Sequence, residues 1–453
     1  MGVCVSTSAK SEDKKLKLAL DGSDKTKVML TGIVFMGLSH IIHLKQYAKG
    51  IMFALVEIIA LLFSPKIIGK IIDLITLGSP QPDIPVKDRD NSIFMLIDGV
   101  MVLAIIAILL VIYYISVKSA LNEYREYCIS QKVKGSKEAF STLLGKSFPV
   151  LGLAPTVGLV VFFVIVPLLF SASVAFTNYS SPGNIPPNNT VDWVGLDNFF
   201  SLFGGDATWT GAFGRVAIWT LIWGATATIT CYFGGLIMAV VLHENEFKLK
   251  PVFRTIFILP YAIPSVVSML VWQNLLNGTF GPINRTLQAF GIIESSIPWL
   301  SDGTLAKFMC ILINLWAGFP YFMLMTMGTM TAISADVYEA AKIDGASKWQ
   351  NFKSITLPLV MYQTMPLIIM SFTHNINNFG AIFFLTGGNP VAADTTTTSA
   401  GSTDILVTWI YNLTINLLKY NYAAVIAVLI FVVLAPFAIW NFSQTKSYKE
   451  GEV

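Results

Sequence analysis

SADVYEAAKIDGASKWQNFKSITLP, Ser334–Pro358, is a short polar stretch set between two long apolar runs, and its reading decides what kind of molecule this is. Asp336 followed by Glu339 makes a capping-box-like helix start, and Gly345 offers the positive φ that ends a helix. Ser347 with Gln350 restarts one as a second capping box, and Pro358 suits the first turn of the helix beyond. The segment therefore reads as two short helices joined by a turn. Its acids, Asp336, Glu339 and Asp344, balance its bases, Lys342, Lys348 and Lys353, while Tyr338, Ile343, Trp349 and Phe352 give it apolar surface. Apolar residues exposed on such a loop imply a docking partner. An ordinary ordered loop explains the same features equally well.

The runs on either side set the solvent. Hydrophobic residues make up 54% of the 453 and charged ones 13%, a balance for a bilayer rather than for water. Apolar stretches of about 20 residues cross a hydrocarbon core as helices, which satisfy every backbone group internally. About eight such spans are expected: near 50–64, 99–117, 149–176, 216–242, 255–276, 308–333, 359–385 and 422–440. None alternates as a barrel strand does. The fold class is an all-α polytopic membrane protein.

Loop charge gives the orientation. The polar, lysine-bearing N-terminus has no signal-peptide pattern and stays in the cytoplasm, and most Lys and Arg then fall on that same side. Both termini and the 334–358 segment are thus cytoplasmic. The net charge of +3 carries no nucleic-acid signature. Glu57, inside the first span, should face protein rather than lipid. The run Val28–Ile42 is short for a span and reads as an interfacial surface helix; its His40 and His43 lack a third ligand, so no metal site is expected. Cys4, Cys128, Cys231 and Cys310 lie far apart and read as free thiols.

Two spans carry polar stripes. Asn314, Gly318 and Tyr321 recur at helical spacing in one, and Ser371, His374, Asn375 and Asn378 in another. Buried unpaired amides and hydroxyls are costly, so each face should meet another helix or a wet cavity. Uncharged donors and acceptors beside an aromatic ring suit a neutral polyol.

Glu339-Ala340-Ala341, then Gly345 after three residues, Ile355 after nine more and Leu357-Pro358 match the EAA loop of ABC-importer permeases. Asn314–Tyr321, Ser371–Phe379, Leu385–Pro390 and Thr403–Leu406 extend the similarity over roughly 150–450, where the chain resembles the maltose/maltodextrin (MalF-like) permeases. The resemblance implies a type I ABC importer permease fold that translocates maltodextrin-type oligosaccharides across the cytoplasmic membrane. It implies that Glu339, Ala340, Ala341 and Gly345 couple to a separate ATPase, and that the sugar contacts Asn314, Ala317, Gly318, Tyr321, Ser371, His374, Asn375 and Asn378. Two positions depart from the family: Ala317 is smaller than the usual leucine, and His374 replaces a phenylalanine. A somewhat different oligosaccharide is one consequence. The short connection near 177–215 resembles the Gram-positive forms and has no room for the large folded domain of the enterobacterial ones.

The implied partners are a second, MalG-like permease, two ATP-binding subunits, an extracytoplasmic sugar-binding protein, the sugar itself and membrane lipid. No Gly-x4-Gly-Lys-Ser/Thr phosphate loop is present, so the chain is a non-catalytic transport subunit with no cofactor. The expected organisation is a cytoplasmic N-terminus (1–49), two spans and a loop (50–148), a six-span core permease domain (149–444) and a tail (445–453). An ion-coupled secondary sugar transporter is the rival reading; the absence of Asp and Glu from the last six spans argues against it. No nucleophile, base or metal cluster suggests an enzyme.

Overall fold

The computed structural model describes residues 24–130, 148–244 and 248–443. Expectations for the extreme N-terminus, Cys4, most of the loop after the second span and the C-terminal tail lie outside the described residues. The chain divides into two compact units: residues 1–173 with 186–192, and residues 174–185 with 193–453.

The first unit opens with α1 (Lys25–Val34) and α2 (Leu38–Ile42), followed by the long helices α3 (Tyr47–Thr76) and α4 (Ser92–Ser130). The single surface helix expected over 28–42 is corrected to two. The chain breaks at Gly37, whose φ of +80 belongs to the left-handed region open to glycine. Nor is His40 on a surface: it is fully buried against Phe53, with ring centroids 5.6 Å apart. Burial, with Lys49 beside it, pushes its imidazole down to about 3, so the ring stays neutral.

Both spans outrun the sequence estimate because their polar ends find partners. Lys70 reaches Asp98 at 2.9 Å, and buried Lys49 pairs with Glu123 at 3.3 Å, tying α3 to α4 at two levels. Glu57 faces protein, as expected, and accepts from the Met36 amide in the break between α1 and α2. Pro65 lies inside α3 without ending it. The third span follows as α5 (Phe148–Val160), a π-helical turn (Val161–Ile165) and α6 (Val166–Val174).

The second unit is built around α8 (Ala207–Glu244), which follows the single turn α7 (Asp197–Phe200). In its most apolar stretch 44% is buried against protein, compared with 6% for α3. The element that should come next as one span is instead α9 (Lys250–Ala262) and α10 (Ser265–Leu275), bent by 92°. Pro260 and Pro264 explain the bend, since neither donates to the helical ladder and each bars its preceding turn. After the short α11 (Pro282–Ala289), α12 (Gly303–Thr331) returns alongside α8. Trp219, Trp223, Met269, Ile313 and Ile382 form one core; Tyr232, Leu236, Phe322, Met323 and Val360 form another.

The 334–358 segment supplies α13 (Ala335–Ile343), α14 (Lys348–Asn351) and a π-helical turn (Phe352–Thr356), which runs directly into α15 (Leu357–Ile376). The span expected over 359–385 is broken: after Asn377 the chain restarts as α16 (Phe379–Thr386). The loop beyond holds α17 (Thr395–Thr398), and α18 (Leu406–Ile415) leads to the final span, α19 (Tyr420–Ser443). Among the described residues seven helices are long and apolar enough to cross a membrane, or eight with the bent pair, in keeping with the sequence estimate.

Candidate functional site

Several helices of the second unit line a cavity of about 730 Å³. α12 brings Asn314, Ala317, Gly318 and Tyr321; α15 brings Ser371, His374 and Asn375; Asn378 stands in the break before α16. The seven residues of the two polar stripes, and Ala317, which the resemblance added, therefore line one space. Their roles within it differ.

Asn314 and Asn375 also knit helices together. Buried Asn314 donates to Cys231 Sγ at 3.4 Å, joining α12 to α8. Asn375 Nδ2 donates to Thr228 Oγ1 at 3.0 Å, and its carbonyl accepts from Trp223 Nε1 at 3.0 Å, joining α15 to the same helix. At these two positions interhelical bonding and cavity lining coexist. Gly318 is needed for proximity, because a Cβ there would stand 2.8 Å from Cys231 Sγ. Asn378 caps α16 by accepting from the Ala381 amide at 3.2 Å. Ser371 and the exposed His374 are less committed: the nearest side-chain partner of Ser371 is Asn375 Nδ2 at 3.5 Å.

The third wall escaped the sequence analysis. The bend between α9 and α10 places Tyr261, Ser265 and Ser268 on the cavity. Tyr261 lies 6.1 Å from Tyr321, ring to ring, so the aromatic surface is a pair. The first turn of α10 has no side-chain cap, which leaves its amides as donors at the cavity edge. Pro260 and Pro264 were the available signal, since two prolines four apart inside an apolar run mark a break. Among the described residues, no Asp, Glu, Lys or Arg lines the cavity.

At the other feature, Ser347 and Gln350 form the expected capping box, and Gly345 takes φ +78. The first cap is corrected: the N-cap lies two residues earlier than Asp336, at Ser334, whose side chain accepts from the Asp336 amide. Glu339, Ala340 and Gly345 are exposed and Ala341 is half-buried on the same segment. Of the four apolar residues only Ile343 and Trp349 stand out, 86% and 67% exposed. Tyr338 and Phe352 turn inward, Tyr338 meeting Thr356 Oγ1 at 3.0 Å and Phe352 packing beneath α15.

Residues 231–444 match the family described as binding-protein-dependent transport system inner membrane component. The chain is 36% identical over 411 residues to the galactooligosaccharides transport system permease protein GanP of Bacillus subtilis, covering 90% of this chain and 94% of that one. The chain belongs to this permease family. It is also 33% identical to the maltodextrin transport system permease protein MalC of Streptococcus pneumoniae, over 91% of this chain and 94% of that one. The resemblance to maltose/maltodextrin-type ABC permeases is thereby borne out. The fold agrees: a solved bacterial ABC transporter involved in import of the acidic polysaccharide alginate superposes with a TM-score of 0.54 at 21% identity, over 68% of this chain and 100% of that one.

Proposed function

We propose that this permease passes a neutral oligosaccharide, of the maltodextrin or galactooligosaccharide kind, through the cavity between α12, α15 and the α9–α10 bend. The observation that carries this reading is the lining itself: hydroxyls, amides and a tyrosine pair, with no carboxylate or fixed cation among the described residues. Hydroxylated rings are held by donors and acceptors at their edges and by aromatic contact at their faces. A fixed charge in such a place would have to be desolvated on every passage. Two relatives of similar identity bear the two sugar names, and their sugars differ in linkage and ring stereochemistry while sharing this neutral chemistry.

The 334–358 segment is the coupling element in this reading. Exposed Ile343 and Trp349 dock into a cytoplasmic ATPase, and Gly345 holds the angle at which α13 passes that subunit's motion to α15. The working assembly pairs the chain with a second permease, two ATPase subunits and an extracytoplasmic sugar-binding protein, with both termini of this chain in the cytoplasm.

Uptake of labelled oligosaccharide by the reconstituted assembly tests both halves. ATP-dependent uptake blocked by vanadate and indifferent to an uncoupler is expected; the reverse pattern sinks the ATP-driven reading. Competition by maltotriose against a galactooligosaccharide decides between the two sugars, and uptake of neither excludes both.

A further inference from the structure

Away from the cavity, the 387–405 loop is organised around one buried carboxylate. Asp404 is 1% exposed. It accepts from the Gly401 amide at 2.7 Å, from Thr408 Oγ1 at 2.7 Å, and from Asn412 Nδ2 at 3.3 and 3.2 Å through its two oxygens. It also lies against Gly388, where a Cβ would come within 2.2 Å of its Oδ1, while Gly401 in turn touches the Gly388 carbonyl. Only glycines allow the carboxylate and the two backbone segments to meet so closely. Burial pushes the Asp404 carboxyl up from the ordinary carboxylate range, and the surrounding donors oppose that shift.

The knot is fastened on two sides. Toward α8, Arg215 donates to the Gly401 and Ala400 carbonyls at 2.7 and 3.0 Å and pairs with Asp394 at 2.7 Å; Trp219 Nε1 donates to the Thr403 carbonyl at 3.0 Å. Toward α16, the hydroxyl oxygens of Thr403 and Thr386 lie 2.8 Å apart, and the Thr403 amide donates to Gly388. Thr386 is the last residue of α16, whose first turn carries the N-cap Asn378 and Ala381, both on the cavity.

We propose that Asp404 is a positioning residue for the sugar site: it fixes the 387–405 loop to α8 and, through Thr403 and Thr386, holds α16 so that Asn378 and Ala381 form the cavity wall. A short helix cut from its span at Asn377 has no continuous ladder to hold it, so its far end must be tied elsewhere. Asp404 touches no sugar in this scheme. The inference rests on the cavity being the sugar site.

The test is saturation binding of a radiolabelled oligosaccharide to the purified, assembled transporter trapped with vanadate, run beside ATP turnover. Asp404→Asn keeps the shape and removes the charge; Thr403→Val leaves Asp404 and the Thr403 amide bond to Gly388 in place and removes the hydroxyl that meets Thr386 and donates to the Asn389 carbonyl. Each should raise the half-saturation by about threefold or more, as loss of an ordinary hydrogen bond does, with the number of sites per complex and the basal ATP turnover unchanged. Because both act through one link, the double variant should shift no further than the larger single. A fall in site number with unchanged half-saturation marks a merely structural role and overturns the proposal. So does additivity of the two changes. Silence at both positions while Ser371→Ala weakens binding overturns it and leaves the cavity assignment standing; silence at Ser371 as well removes the cavity assignment and this inference together. Should Asp404→Asn fail to assemble, Thr403→Val alone gives the same reading.

Discussion

The 334–358 segment and the cavity are each mismatched to their surroundings, in opposite senses. On 334–358, Ile343 and Trp349 push apolar surface out of a polar loop, although its helices are capped and its turn is unstrained. In the cavity, Ser371 and His374 bring polar groups onto a mostly apolar span, and Asn378 brings one into the break beyond it. Apolar surface in water and polar surface at membrane depth both cost free energy unless something covers them. In the proposed reading a protein groove covers the first and a hydroxylated ligand the second.

Truncating Trp349 is the most severe way to break the comparison. A large aromatic at the centre of a docking surface commonly contributes ~2 kcal/mol or more, so Trp349→Ala should lower co-purification of the ATPase subunits at least tenfold while sugar binding to the permease persists. Retention of a full ATPase complement would place the docking face elsewhere. Gly345→Val comes next. The residue sits at φ +78 with open space around it, so the penalty is backbone strain, about 1–3 kcal/mol, and not a clash. The expected phenotype is an assembled complex whose ATP turnover no longer drives uptake. Unchanged coupling in that variant would remove the role given to the turn.

These two regions also differ in how far the sequence alone reveals them. The 334–358 segment is written in local grammar: Ser347–Gln350 and Gly345 act within a few residues, so their structure follows from their order. Even there Ser334 displaced Asp336 as the cap, because both residue types serve and only the backbone at the start of α13 decides. The seven stripe residues were legible because helical spacing puts them on one face, whereas Ala317 came from the family resemblance. Which of them spend their amides on α8 was not, since Thr228 and Cys231 come from a span that carries no such stripe. The α9–α10 wall was missed because a hydropathy count registers an apolar run and ignores the direction in which two prolines turn it. The burial of His40 depends on α3 packing back over the Gly37 break, a contact between separate elements.

Asn375 and Ser371, one turn apart on α15, sharpen the distinction between lining a cavity and building it. Asn375→Ala strands the buried Thr228 hydroxyl and removes a tie between α15 and α8, so it should cost about 1–3 kcal/mol of stability as well as sugar binding. Ser371→Ala loses no such tie. It should leave the melting temperature of the complex unmoved and weaken sugar binding by about 0.5–1.5 kcal/mol, up to roughly tenfold. Thermal unfolding and uptake measured on both variants separate the two roles. Equal thermal losses would mean that Ser371 too serves helix packing.

His374 gives the smallest effect and the finest discrimination. Its ring is exposed on the cavity and takes no side-chain hydrogen bond from the described residues, so its contribution should appear only when sugar is bound. Two chemistries are open to it. As a donor or acceptor to a hydroxyl it contributes one hydrogen bond, and His374→Asn should then retain more uptake than His374→Leu. As a flat surface beside the Tyr261–Tyr321 pair it contributes aromatic contact of about 0.5–1.5 kcal/mol, and His374→Phe should then be the best tolerated. Uptake rates for the three variants, each with a di- and a trisaccharide, rank these possibilities directly. Because none of the three changes touches the coupling segment, ATP turnover per sugar moved should stay constant across the series. If uptake is the same for Asn, Leu and Phe, the ring lies beyond the sugar's reach, and other lining residues such as the tyrosine pair and Ser371 must account for recognition.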